Sequence, residues 1–552
     1  MTQNSMVCIR VKDKVYEVPM GTKAETLVKD IQIPEQPIIV AFRVNNTIKE
    51  LSAPLTSDMS IEWVDITDMD GVRIYQRSLS FVLIRAAMEL FDKITVTVQH
   101  SLNKGIYFEL NYQRHITPDD IAVIKERMQS IIKSDELFVK EKVPKEIAEA
   151  YFEKFGMLPK KALLKYRTQD FVNLYALGWI KNYFYGYMVP STGYLRVFDL
   201  KYFDDGAVLL FPNKYSLMSL PEYNEQPKLA QIYKESKKWG QILGVSFVAD
   251  LNDWITEKNI AEIMRVQEAL QEKKIAQIAD QITDSNKRVV LIAGPSSSGK
   301  TTFANRLMVQ LKVNGLKPIT LSTDDYFVDR DRTPLDEDGK FDFESIDSVD
   351  VELFNQNLAM LLSGEDIELP TFNFRLGKRE YLGKHLKIEA DQTIIIEGIH
   401  GLNGRLTDLI DPKDKFKIYI SALTTLNIDD HNRIPTTDTR LFRRIVRDYR
   451  SRGYSALTTI AQWPSVRKGE EKNIFPFQEE ADIMFNSAMV YELAVLKKYA
   501  QPLLLEIDET KPEYAEAKRL LKFLSYFKTI EDEKQIPPTS ILREFVGGSC
   551  FE

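Results

Sequence analysis

Residues 5 to 65 alternate apolar and polar positions in the manner of strands. In MVCIRV, Val7, Ile9 and Val11 share one face, and KVYEVP follows after a short polar turn. TKAETLVKDI has helical spacing, with Thr22 at the N-cap and Glu25 three residues on. PIIVAFRVNNTIKEL predicts two strands around an Asn45-Asn46 turn, and SIEWVDI predicts another. The sum is a small mixed sheet over one helix. From about 72 to 225 the pattern becomes α+β: LSFVLIRAAMELF predicts an apolar helix, KITVTVQHS and GIYFEL predict strands, and TPDDIAVIKERMQSII predicts a helix capped by Thr117. Residues 226 to 284 are mostly helical. There NIAEIMRVQEALQEKKIAQIADQI sets Ile260, Ile263, Val266 or Gln267, and Leu270 near one stripe, as a helix packed onto its neighbours would.

From 286 onward strand and helix patterns alternate. RVVLIA, KPITLS, TIIIEG, FKIYIS and PLLLEI are short, continuously apolar runs, the signature of parallel strands buried on both faces. They predict an open, doubly wound α/β domain ending near 510. The last stretch, PPTSILREFVGGSCFE, is apolar enough to dock on the body. The expected fold class is multidomain α/β, with units at 1–68, 69–225, 226–284, 285–510 and 511–552.

Composition narrows the classes. At 552 residues the chain exceeds a single core, and its 44% hydrophobic and 28% charged content is that of a soluble protein. A net charge of −7 argues against a general nucleic-acid coat. Cys8 and Cys550 are the only cysteines, which excludes a disulfide framework and a cysteine zinc site. The start MTQNSMVCIRVKDK has no apolar signal core, and no run reaches membrane-span length, so a cytoplasmic location is expected.

The chemistry concentrates after 290. GPSSSGKTT, comprising Gly294, Pro295, Ser296, Ser297, Ser298, Gly299, Lys300, Thr301 and Thr302, fits the G-x-x-x-x-G-K-[ST] pattern between a strand and a helix. Its backbone N–H groups and the helix N-terminus suit nucleotide phosphates. Lys300 would bridge the β- and γ-phosphates of ATP, and Thr301 would ligate Mg²⁺. KPITLS delivers Asp324 and Asp325 to the same sheet edge, where a carboxylate can take the proton of an attacking hydroxyl. TIIIEG delivers Glu397 as a metal-holding acid. In DTRLFRRIVRDYRSRG, Arg440, Arg443 or Arg444, and Arg447 share a helix face that ends at Gly453, with only Asp438 and Asp448 as nearby acids. Such a row could close over a transferring phosphoryl group as a lid, or be a solvated face. Phe341, Phe343, Phe372 and Phe374, beside Asp342 and Glu344, offer stacking rings and a ribose-binding carboxylate, or simply core packing.

Together these motifs resemble the uridine kinase and phosphoribulokinase group of P-loop kinases. The order matches: GPSSSGKTT, LSTDDYF like LSxDxFY, FDFESIDSVD like NFDHPxAxD, PTFNF like PxYDF, IIIEGIH like FEGI, and DTRLFRRIVRDYRSRG like DTRLxRRxxRD. The resemblance implies Asp324 as general base, Glu344 as ribose-binding acid, Phe372 and Phe374 flanking the base, and Glu397 near the metal. It also implies that Arg440, Arg443 and Arg447 contact phosphates or substrate. Gly377 and Thr458 stand where the family has a base-reading histidine and a glutamine. Residues 5 to 65 resemble a TGS domain, and 72 to 225 resemble the editing domain of threonyl-tRNA synthetases. Phe81 and Arg85 occupy the HxxxH positions and no cysteine lies between 9 and 549, so the resemblance implies a module without editing chemistry. It could serve as a binding platform, a regulatory lid or a dimerisation unit.

The expected activity is transfer of the γ-phosphate of ATP to the 5′-hydroxyl of a nucleoside, with uridine or cytidine favoured by family. A kinase of pantothenate or a sugar phosphate is the alternative within enzymes. An RNA-binding or nucleotide-sensing protein using the P-loop as a switch is the alternative outside them, with tRNA as a partner of the front half.

Overall fold

The computed structural model describes the chain except residues 1–4, 33–35, 215, 217, 338, 374 and 552. Val7 and Ile9 of the strand Met6–Val11 point inward, as their alternation requires. The strand pairs antiparallel with Lys14–Pro19 and parallel with Met59–Ser60. Ala24–Ile31 covers this sheet through Leu27 and Val28. The helix starts one residue later than Thr22 would cap it: its N-cap is Lys23, and the Thr22 hydroxyl instead donates to the Pro19 carbonyl at 2.7 Å. Asn45 and Asn46 both take positive φ, +46° and +55°, which turns Ile39–Val44 into Thr47–Glu50.

Next comes the long helix Met69–Leu90, capped by the Asp68 side chain on the Asp70 N–H. Phe81 is fully buried against Phe138 and Phe184, and Arg85 pairs with Glu89 and Glu136 at 2.8 and 2.6 Å. A buried ring and a paired cation therefore occupy these two positions of the helix. The helix Pro118–Lys133 begins with a reciprocal capping box between Thr117 and Asp120. These helices pack with a four-stranded antiparallel sheet, ordered Asp199–Phe203, Gly206–Leu210, Gly105–Asn111, Thr95–Leu102.

The third unit is a five-stranded parallel sheet: β1 Val289–Ala293, β2 Ile319–Ser322, β3 Ile394–Glu397, β4 Lys415–Ser421 and β5 Ile483–Asn486, in spatial order β2-β3-β1-β4-β5. Every residue of β1 is buried because both faces are covered. Val290 and Ile292 share a core with Phe303, Leu307 and Leu311 of the phosphate-loop helix Lys300–Val313. Val289 and Leu291 face a second core with Phe354, Leu358 and Leu361 of the helix Val351–Leu362. Each such side chain contributes roughly 1.5–3 kcal/mol on burial. Chain order reverses around β1, so its carboxyl end opens a crevice.

One strand expectation fails, and one open alternative is resolved. PLLLEI is not a strand; it closes the helix Glu492–Leu505, with Leu504 buried and Leu505 exposed. A run of three leucines cannot by itself distinguish strand from helix, and β5 comes instead from IMFN. In the helix Ile260–Ser285 the buried stripe takes Gln267 and leaves Val266 exposed. No helix among the described residues is long and apolar enough to cross a membrane.

Candidate active site

β1 runs straight into the phosphate loop. A Cβ at Gly294 would meet the Ile420 carbonyl oxygen at 2.0 Å, so only glycine can pass β4 here. Ser297 and Gly299 turn left-handed at φ +60° and +87° and curl the loop onto its helix. The Ser297 and Ser298 hydroxyls are enclosed without a hydrogen-bond partner. Lys300 lies over the loop, its ammonium donating to the Gly294 carbonyl at 3.0 Å and to that of Pro295 at 3.4 Å. Orphaned hydroxyls and a lysine resting on carbonyls fit a cradle whose natural occupant is an anion.

Carboxylates ring this loop. Glu397, at the end of β3, accepts from the Thr301 hydroxyl at 3.3 Å and from the Ser322 hydroxyl at 3.4 Å. Burial, with Asp324 adding to it, pushes the Glu397 carboxyl up to about 7 against the pull of Lys300. Hard oxygen donors of this kind suit Mg²⁺, and Thr301 and Glu397 are the residues that would hold it. Asp324 opens a short turn after β2, with its N–H bonded to the Ser322 hydroxyl at 3.3 Å. It is exposed to solvent yet crowded by protein, which raises its carboxyl pKa, while Lys300, Arg452 and Arg447 pull it down. Asp325 turns the other way and accepts from the Phe372 N–H at 3.5 Å. Of the pair, then, Asp324 faces the lysine and the arginines. Glu344 is raised to about 7 by burial and by nearby Glu470, opposed by Arg444 and Lys300, and one of its oxygens is enclosed without a partner.

The arginine row departs from expectation. On the arginine helix, Thr436–Arg447, Arg440 and Arg443 are 1% and 0% exposed and are braces rather than a lid. Arg440 forms a bidentate pair with Glu470 at 2.5 Å, and Glu470 also accepts from the Ser296 N–H at 3.2 Å. Arg443 pairs with Glu492 at 2.5 Å and donates to the Ser297 and Ser298 carbonyls at 3.4 Å. Their acidic partners come from other elements, which the local count of Asp438 and Asp448 could not show. Arg444 donates to the Ser296 hydroxyl at 2.9 Å, and Arg447 and Arg452 both lie near Asp324. Buried Asp448 holds Arg444, Arg447 and Arg452 at 3.2, 2.8 and 3.6 Å, so one negative charge positions three positive ones.

The aromatic segment is only partly assembled. Phe372 packs edge-on against Phe327 with ring centroids 5.5 Å apart, whereas Phe374 lies outside the described residues. Phe341 and Phe343 are exposed neighbours at 5.8 Å. Gly377 is left-handed at φ +67° with the Arg330 side chain where a Cβ would stand, so no base-reading side chain can replace it without moving that arginine. Thr458 sits in the first turn of the helix Ala456–Asn473, bonded to Ser455.

Sequence reasoning missed Glu470, Glu492, Arg452 and Glu544. Glu544 belongs to the C-terminal segment, which is anchored by fully buried Ile541, Leu542 and Phe545. Its carboxylate accepts from the Thr302 N–H at 3.2 Å and from the Thr302 hydroxyl at 2.7 Å. A protein carboxylate thus stands on a donor pair of the phosphate loop. An arginine-dense helix in a chain of negative net charge signals that such partners exist, but not where.

Residues 289–494 match the family model Phosphoribulokinase / Uridine kinase. That is the span carrying β1 to β5 and the arginine helix. The front half is similar to other proteins. Threonine–tRNA ligase of Acidovorax sp. (strain JS42) is 32% identical over 162 residues, 29% of this chain and 25% of the ligase. The ligase of Burkholderia lata is 32% identical over 199 residues, 35% of this chain and 31% of the ligase. The chain therefore spans about a quarter to a third of the length of these relatives. Among solved structures, one described as a possible uridine kinase from Bacillus stearothermophilus is 19% identical with a TM-score of 0.27, covering 39% of this chain and 98% of its own. D-glycerate 3-kinase from Cryptococcus neoformans var. grubii is 15% identical with a TM-score of 0.22, covering 46% and 87%. At these scores the likeness is too faint to carry an argument.

Proposed function

We propose that the protein is an ATP-dependent kinase that phosphorylates the 5′-hydroxyl of a nucleoside, with uridine or cytidine favoured. The observation that carries this reading is the meeting of Lys300, Thr301, Asp324 and Glu397 at the carboxyl ends of three adjacent strands. Anion binding alone would need only the loop. A carboxylate facing both the loop lysine and two arginines adds the base that transfer to a hydroxyl requires.

In this account Lys300 leaves the Gly294 and Pro295 carbonyls for phosphate oxygens. Mg²⁺, held by Thr301 and Glu397, supplies charge neutralisation at the phosphates when bound. Asp324 accepts the acceptor's hydroxyl proton as the O5′–P bond forms and the bond from the γ-phosphorus to the bridging oxygen breaks, releasing ADP. Arg447 and Arg452 favour the ionised form of Asp324 against the upward push of burial and face the equatorial oxygens, while Arg440 and Arg443 hold the loop rigid from behind. Glu344 is the candidate partner of the ribose hydroxyls, and Phe372 of the base.

ADP release from Mg-ATP against a panel of nucleosides, pantothenate and ribulose 5-phosphate tests the proposal. Stimulation by uridine or cytidine supports it; stimulation by another nucleoside would mean that Gly377 and Thr458 reset base choice. Silence across the panel would overturn it.

A further inference from the structure

A cavity of about 140 Å³ lies between the long helix Met69–Leu90 and the start of the arginine helix, and none of its walls belongs to the phosphate loop. Four guanidinium groups line it: Arg73, Arg77, Arg433 and Arg519. Two are answered by acids. Arg73 pairs with Glu516 at 2.8 Å and Asp70 at 3.0 Å, and Arg519 pairs with Asp438 and Glu516, both at 2.7 Å.

The other two are not. Arg77 donates to the Tyr187 carbonyl at 2.7 Å and lies over the Tyr185 ring, but no carboxylate among the described residues pairs with it. The Arg433 side chain forms no hydrogen bond or ion pair among the described residues, and its Nε is fully enclosed. Burial presses both guanidinium pKa values down, and the one carboxylate that acts on Arg433, the cavity-lining Asp438, is already bound by Arg519. The arginine helix also starts here: Thr437 lines the cavity, the N-cap residue, Pro435, offers no side-chain acceptor to the first-turn amides, and the first-turn acid, Asp438, is turned to Arg519. Two guanidiniums with no carboxylate in ion-pair contact among the described residues, and a helix start without a side-chain cap, face one small space and suit an anion.

We propose that this cavity binds a phosphate-bearing small molecule, whose phosphoryl group sits between Arg77 and Arg433 at the N-terminal end of the arginine helix. The volume suits one phosphoryl group, and the rest of the ligand extends outward. Planar guanidinium forks match phosphate oxygens two at a time. The bound group braces the same helix that carries Arg444 to Ser296 and Arg447 to the neighbourhood of Asp324, which ties the front half to the phosphate loop.

The test uses the full-length protein with inorganic phosphate and glycerol 3-phosphate as probes, followed by calorimetric titration and thermal melting. The phosphate loop can bind the same anions, so each titration is repeated on Lys300→Ala. Saturable binding should persist in Lys300→Ala and weaken by at least about tenfold in Arg433→Met and Arg77→Met. In phosphate-free buffer Arg433→Met should melt above wild type, because it removes an unpaired buried cation. If Arg433→Met does not fold, Arg77→Met carries the same comparison. Binding that disappears in Lys300→Ala and is unchanged in both methionine variants would make the phosphate loop the only anion site and overturn the proposal. Binding of a 5′-phosphorylated oligoribonucleotide with none of glycerol 3-phosphate would also overturn it, by assigning the cavity to RNA.

Discussion

Glu544→Ala should tighten ATP binding. The Glu544 carboxylate accepts 2.7 and 3.2 Å hydrogen bonds from the Thr302 hydroxyl and N–H, a donor pair that the phosphate-loop pattern assigns to the nucleotide. ATP must therefore displace a charge-assisted contact before it can use Thr302. Such contacts contribute about 1.5–3 kcal/mol gross, with part returned when the freed carboxylate hydrates. A net bias of about 1.4 kcal/mol toward the occupied state leaves roughly one molecule in ten competent, so apparent affinity is about tenfold below intrinsic. Ile541, Leu542 and Phe545 remain buried in the variant, so the segment stays docked and only the carboxylate is lost. Titration calorimetry of wild type, Glu544→Ala and Glu544→Gln with Mg-ATP reads the effect. Alanine should gain about tenfold and glutamine, an uncharged acceptor, less. Equal affinity in all three, with unchanged melting, would refute the idea that Glu544 competes with nucleotide.

Three further results are expected. Arg440→Ala removes the fully buried partner of Glu470 and leaves it only Arg467 at 2.8 Å and the Ser296 N–H, so it should cost about 1.5–3 kcal/mol by denaturant unfolding, whereas Arg440→Met with Glu470→Leu should cost less; an equal cost would mean that the pair does not act as a unit. Because the Glu397 carboxyl is pushed up to about 7, it is mostly protonated below that pH and Mg²⁺ must release the proton, so Mg²⁺ affinity measured with nucleotide should fall about fivefold from pH 7 to 6. The raised Glu344 carboxyl adds stability at acid pH that is lost as pH rises through about 7, so Glu344→Gln should melt above wild type at pH 8 and lose that advantage near pH 4.

The sequence disclosed most about local structure and least about long-range partners. The strand–loop–helix at 289–313 was legible because continuous apolar β1, the glycines and Lys300 all point one way. The Asp68-capped helix and the Thr117 capping box follow equally local rules. PLLLEI misled because its four apolar residues are too few to show a period, and Thr22 misled because the chain turns one residue later. The arginine helix was found, yet its row divides: Arg440 and Arg443 pair with buried carboxylates, while Arg447 lies near Asp324. Whether a guanidinium braces or catalyses depends on carboxylates such as Glu470 and Glu492, which lie 30 and 49 positions from their partners. Glu544, 242 positions from Thr302, carried no signal except that its segment was apolar enough to dock.

The central claim is that Asp324 is the base at a nucleotide-binding phosphate loop. Turnover and ATP affinity of Asp324→Asn, measured beside wild type with the best acceptor of the panel, test it most directly. The account predicts turnover reduced by at least about a hundredfold, with ATP affinity almost intact, since among the described residues the Asp324 carboxylate accepts no hydrogen bond from the phosphate loop. Undiminished turnover in a folded Asp324→Asn protein would contradict it.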